Sequence, residues 1–225
     1  MRIVTALVLL VLLAVAGCQQ GQSADYGRGG LCEDGFVRLF NGKDLSGWHR
    51  HEGLPKTDIG GKWWVEDGVI TGMQYPKGRG GFLTVDEEYR DFELRLEAKI
   101  DYPFDSGVFL RVGPDGKSHQ VTLDWEPGGS IGSIYCPWTQ GSVYRNKEGL
   151  KYFLTDRWNK IRIVCQGEPA HIQAWVNGTK VTDFQHTAET TKGIPEKGTV
   201  CLQVHPGHHG YDGRVRFRKI CIKEL

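Results

Sequence analysis

Apolar and polar positions alternate with a period of two along most of the chain, and helical periodicity is almost absent. The clearest run is 91–100, where Phe92, Leu94, Leu96, Ala98 and Ile100 fall on one face and Glu93, Arg95, Glu97 and Lys99 on the other. Shorter runs recur at 36–40, 63–66, 69–72, 82–85, 160–166, 171–176, 179–184, 199–205 and 214–224. Turn pairs such as Asn41-Gly42, Asp67-Gly68 and Asn177-Gly178 separate several of them. Roughly a dozen short strands, long loops and no repeat predict an all-β fold, a two-sheet antiparallel jelly-roll sandwich. The stretch 136–152, with Trp138, Tyr144 and Tyr152, reads as a surface loop long enough to cover a site.

The organising stretch is 105–125, two alternating runs flanking a turn at 113–117, the pattern of a β-hairpin. Val108, Leu110 and Val112 are expected on one face, with Phe109 and Arg111 on the other; Val121 and Leu123 oppose Gln120, Thr122 and Asp124. A face turned only to bulk water would favour Lys and Glu. A Gln/Thr/Asp row beside Arg111, flanked by Phe109 and Trp125, reads instead as the floor of a groove for a polar ligand, an ordinary solvated face being the alternative. In 199–205, Gln203 and His205 leave the non-core face in the same way and supply a second wall. Glu97 and Lys99 join the candidates if their strand curves toward the hairpin; solvent exposure is the simpler reason for that polar face.

The N-terminus changes the picture of where the domain sits. Arg2, an apolar stretch from Ile3 to Ala16 and Val15-Ala16-Gly17-Cys18 read as a lipoprotein leader over 1–17, with Cys18 as the lipidated residue; a secretory signal cut elsewhere is the alternative. The Gln/Gly/Ser-rich segment 18–31 is then a flexible tether, and 32–225 the single β-sandwich domain. The expected location is the bacterial cell envelope, on the periplasmic or cell-surface side, with the lipid as the only membrane contact.

Charge excludes one class of partner. The 28 Lys and Arg nearly cancel the 27 Asp and Glu, with no basic run, so a nucleic-acid partner is not expected. Seven Trp are compatible with a carbohydrate partner, since indole rings stack on sugars, although they serve cores equally well. Beyond Cys18, five cysteines remain: Cys32, Cys136, Cys165, Cys201 and Cys221. None is at C-x-x-C spacing, and a tie between Cys32 and Cys221 is possible if the first and last strands adjoin.

Nucleophile-elbow, P-loop and dinucleotide fingerprints are absent. His205, His208, His209 and Asp212 form the most chemically suggestive cluster, and a divalent metal ion is the cofactor such groups point to, a plain surface loop being the alternative. Asp105, Asp124 and Glu97 supply carboxyls for acid–base work.

The segments FVRLFNGKDLSGW (36–48), WVEDGVITG (64–72), YRDFELRLE (89–97) and SGVFLR (106–111), followed by WNKIR (158–162), WVNG (175–178), GTVCLQVH (198–205) and VRFRKICIKEL (215–225), resemble the 3-keto-disaccharide hydrolase domain family, in order over nearly the whole mature chain. The resemblance implies a concanavalin A-like lectin/glucanase fold and cleavage of glycosidic bonds in sugars oxidised at C3. On that reading His205 is the base and Arg111 or a metal stabilises the enolate. Asp124 is an acid or ligand, and Gln120, Thr122, Gln203, Trp125 and Trp138 bind sugar. His205, Asp124 and Gln120 are the candidate metal ligands. The family commonly carries Glu-x-Gln where this chain reads Gln120-Val-Thr122. The Glu-to-Gln change removes a titratable group and an anionic ligand but leaves sugar hydrogen bonding intact, with Asp124 the substitute on the same face. A non-catalytic, lectin-like lipoprotein is the alternative. A catalytic site requires His205, Gln120, Asp124 and Arg111 to converge on one concavity.

Overall fold

A computed structural model describes residues 32–33, 35–54, 59–207 and 213–225. The expected leader and tether, with Cys18, lie outside the described residues. The chain folds as two antiparallel sheets packed face to face, the jelly-roll sandwich that the alternation predicts. One sheet runs in the order β13 (Thr179–Gln185), β12 (His171–Val176), β11 (Asn159–Gln166), β6 (Phe92–Ile100), β15 (Arg214–Glu224), β4 (Val69–Met73) and β3 (Lys62–Glu66), with β1 (Val37–Arg38) added to β15. The other runs β10 (Gly141–Tyr144), β9 (Ile131–Cys136), β8 (His119–Leu123), β7 (Gly107–Val112), β14 (Thr199–Val204), β5 (Gly81–Val85) and β2 (Trp48–Arg50). The stretch read as a covering loop holds β10 and a short 3₁₀ turn at Gly149–Tyr152.

The core lies between the sheets. Phe92, Leu94, Leu96, Ala98 and Ile100 of β6 are all buried, as are Val108, Leu110, Val121, Leu123, Ile134, Val200, Leu202 and Val204 from the other layer. Each large apolar side chain buried this way contributes about 1.5–3 kcal/mol. Trp48 plugs one end, its indole Nε1 donating to Leu39 O at 2.6 Å.

The alternation fails in one place, and the reason is local. Between β7 and β14, Phe109 pairs with Cys201 and Val112 with Thr199, so three steps on β7 oppose two on β14. Arg111 takes φ 52° at this bulge. An extra residue reverses the faces beyond it. Val112 therefore joins Phe109, Phe82, Leu54 and Cys201 in a small apolar cluster outside the main core, and Arg111 turns inward to the sandwich rim.

Val37 pairs with Ile222 and Arg38 with Cys221, which brings the first and last strands of the described domain together and sets Cys32 and Cys221 in a disulfide with Cα atoms 5.5 Å apart. Cys136, Cys165 and Cys201 are buried free thiols. Because the bridge closes a loop of 189 residues, Cys221→Ser under non-reducing conditions is expected to lower unfolding stability by about 2–4 kcal/mol. A denaturation midpoint unchanged by that substitution would remove the bridge from the account.

Candidate active site

The outward face of the second sheet is concave and forms a groove of about 420 Å³, within the usual range of roughly 300–1,000 Å³ for small-molecule sites. Its floor is set by strand parity. Gln120 and Thr122 point outward from β8 because His119, Val121 and Leu123 point inward; Gln203 does the same on β14, and Ser133 and Tyr135 on β9. Gly107 on β7 makes room for the central contact: a Cβ there would overlap the Gln120 amide. That amide reaches across β7, donating from Nε2 to Gln203 Oε1 at 3.0 Å. The Gln203 oxygen is thereby engaged, leaving its NH₂ as a donor. Thr122 donates to Ser130 O at 2.7 Å and accepts from the Ser133 N–H at 3.0 Å, so it holds the floor together.

The two ends of the groove differ in character. At one end, Phe82 and Phe109 lie with ring centroids 4.1 Å apart, and Trp138, 42% exposed, extends this platform over Phe82. Phe82 and Phe109 are themselves buried, so Trp138 presents the aromatic face that can stack on the apolar side of a sugar ring. At the other end are Asp105, Asp124 and His205. His205 follows β14, is 45% exposed, and sets Nε2 3.4 Å from Asp105 Oδ2. Asp124 Oδ2 accepts the Ser130 N–H at 3.2 Å. Asp105 Oδ1 and Asp124 Oδ1 are buried with no hydrogen-bond partner among the described residues.

Burial, with the negative charges of Asp124 and Glu126 nearby, pushes the Asp105 carboxyl well above its ordinary value. Burial and Glu126 push Asp124 up as well. A carboxyl whose folded-state value is raised stabilises the fold below its unfolded value, about 4, and that contribution is lost as pH rises through the folded value. Asp105→Asn is therefore expected to melt several degrees above the parent at pH 8, with the difference shrinking toward pH 4. A gap in melting temperature that does not change with pH would contradict the assigned burial of this charge.

Of the residues expected at the site, Gln120, Thr122, Asp124, Gln203, His205 and Trp138 line one groove. Four do not. Arg111 is completely buried at the rim between the sheets: Nε donates to Arg90 O at 2.7 Å and Nη2 to Gly167 O at 2.9 Å, and the guanidinium pairs with Asp91 at 3.0 Å and Glu168 at 3.2 Å. The bulge moved it off the face it was expected to share with Phe109, so the convergence required of His205, Gln120, Asp124 and Arg111 fails at Arg111, and a donor toward an enolate oxygen has to come from another groove residue, Gln203. Glu97 and Lys99 lie on β6 of the opposite sheet, where Glu97 pairs with Arg218 at 2.7 Å and Lys219 at 3.1 Å. Trp125 is half-buried and packs against the core through Phe153, with centroids 5.2 Å apart.

Ser133, Tyr135, Phe82 and Arg145 line the groove without having been placed there from the sequence, and Asp105, expected as one of three carboxyls for acid–base work, lines it with Asp124. The Ser133/Tyr135 alternation was a usable signal. Asp105, just before β7, was offered by the sequence as a carboxyl without its separation from Asp124.

The expected metal set of His205, Asp124 and Gln120 lines one groove, with Gln120 donating through Nε2 to Gln203. A His/Cys/Asp/Glu trio of described residues whose ligand atoms lie within 4.8 Å of one another occurs elsewhere, at His119, Cys136 and His186. His208, His209 and Asp212 lie outside the described residues.

Comparison with known proteins bears on what such a groove handles. A 3-keto-disaccharide hydrolase of Bacteroides thetaiotaomicron is 35% identical over 81 residues, which is 34% of this chain and 27% of that protein. The match thus spans about a quarter of that relative's length. A glycosyl-hydrolase-like protein of Parabacteroides distasonis superposes with a TM-score of 0.61 at 25% identity, covering 84% of this chain and 99% of the other. A prokaryotic β-1,3-1,4-glucanase (lichenase) from a mouse hindgut metagenome shares the fold, with a TM-score of 0.55 at 12% identity over 84% of this chain and 98% of its own. Residues 35–223 match the family model described as the 3-keto-alpha-glucoside-1,2-lyase-like domain, and the chain belongs to that family.

Proposed function

We propose that the groove cleaves glycosidic bonds of 3-keto sugars by elimination and hydration. The observation that carries this reading is the pairing of an exposed imidazole, His205, with the buried Asp105 carboxyl at 3.4 Å, beside a second carboxyl, Asp124, whose environment favours its protonated form. A ketone at C3 acidifies the C2 hydrogen. His205, oriented by Asp105, takes that proton, and the electron pair forms an enolate on the C3 oxygen, toward which the Gln203 NH₂ donates. The enolate collapses, C3=O is restored, C1=C2 forms, and the C1–O bond breaks. Asp124 gives its proton to the leaving oxygen. Water then adds across C1=C2: its hydroxyl bonds to C1, its proton returns to Asp124, and the His205 proton goes to C2. Trp138, backed by the buried Phe82 and Phe109 rings, holds a sugar ring against these groups.

The same reading places the protein in the cell envelope, tethered through a lipid on Cys18. That part rests on the sequence at 1–18.

A second reading, a non-catalytic sugar-binding protein, draws on the Gln120-Val-Thr122 departure and on the burial of Arg111 away from the groove. Incubation with a 3-keto-disaccharide and with its unoxidised parent separates the two. Release of monosaccharide from the keto sugar alone is expected. Saturable binding of the keto sugar without any release would favour the lectin-like reading.

A further inference from the structure

Behind the groove floor, on the core side of the same sheet, three groups capable of binding metal face one another. His119 is fully buried on the inward face of β8, next to the groove residue Gln120. Cys136 ends β9 beside Tyr135, and His186 follows β13 at the edge of the opposite sheet. His119 Nδ1 lies 3.8 Å from Cys136 Sγ, the two imidazole centroids are 4.3 Å apart, and one ligand atom from each residue falls within 4.8 Å of the others. His186 Nδ1 is 3.1 Å from Thr190 Oγ1, which orients the ring. The Nε2 atoms of both His119 and His186 are buried with no hydrogen-bond partner among the described residues. A core that needed only to be filled would use apolar side chains here, because an unpartnered buried polar atom is costly.

We propose that His119, Cys136 and His186 bind one zinc(II) ion that ties β8 and β9 to the β13 edge of the opposite sheet, behind the groove. Imidazole nitrogen and cysteine thiolate are both zinc ligands, three of them here leaving the fourth tetrahedral position to a further ligand such as water, and an imidazole held through its other nitrogen is the usual arrangement around such an ion. Binding exchanges the Cys136 S–H proton, which leaves to solvent, for a sulfur–zinc bond. The ion fixes β8 and β9, and so the spacing of Gln120 and Tyr135, against the β13 exit.

The test is a metal titration of the full chain after treatment with a chelator. Zinc is expected to bind at one equivalent and raise the melting temperature. Cobalt(II), as a surrogate, is expected to show a thiolate charge-transfer absorption. Cys136→Ser should abolish that absorption and weaken zinc binding at least about tenfold, while His205→Ala should leave both unchanged. His186→Gln, outside the strands, is the second variant should Cys136→Ser fail to fold, and it should weaken zinc binding comparably. The proposal is overturned by a chain that binds no zinc, or by binding that survives Cys136→Ser and His186→Gln.

Discussion

His205→Ala is expected to lower kcat/KM toward a 3-keto-disaccharide by about 10²–10⁴-fold, the usual contribution of a positioned acid–base group. Sugar affinity should change much less, because the exposed Trp138 face and the amides of Gln120 and Gln203 are separate from the imidazole. The effect should therefore appear in kcat more than in KM. His205 is nearly half exposed and packs no core, so the variant should unfold at the parental temperature. Turnover retained within a few-fold of the parent would remove His205 as the base and leave the Asp105/Asp124 pair to act alone.

Arg111→Ala is expected to cost about 3–5 kcal/mol of stability. The guanidinium is completely buried and joins the chain before β6, through Arg90 O and Asp91, to the β11–β12 turn, through Gly167 O and Glu168. Its removal strands the Asp91 and Glu168 carboxyls, of which 33% and 24% respectively remain exposed, so the lower half of that range is the better expectation. For a domain of this size the melting temperature should fall by roughly 10 °C. Arg111→Lys keeps the charge but loses the planar fork and should recover only part of the loss. A variant that melts with the parent yet loses turnover would reverse the assignment and return Arg111 to the chemistry.

Arg111 also shows where sequence reading reached its limit. Period-two alternation identified the sheets and the core face of β6. It also showed that Gln120, Thr122, Asp124, Gln203 and His205 leave strands on the side away from the core. Those inferences need only parity within one strand. Arg111 required knowing that one extra residue sits in β7 opposite β14, and a bulge of this kind has no marker in SGVFLRV once the left-handed position is held by Arg and not Gly. Glu97 and Lys99 depended on which sheet β6 joins, a pairing between distant strands that local pattern does not contain. Trp125 was equally ambiguous: an aromatic at a hairpin end serves a core or a groove, and here Phe153, from a segment nearly thirty residues later, packs against it. The disulfide was legible only conditionally, because it needed the first and last strands to be neighbours, as β1 and β15 are.

Elimination at C2 separates this account from ordinary glycoside hydrolysis, in which the C2 hydrogen is never touched. The direct measurement is cleavage of a 3-keto-disaccharide in D₂O, with the released keto sugar read by NMR. His205 is open to solvent on one side, so its proton exchanges before water adds. The account predicts deuterium at C2 of the product, and cleavage with protium fully retained there would contradict it.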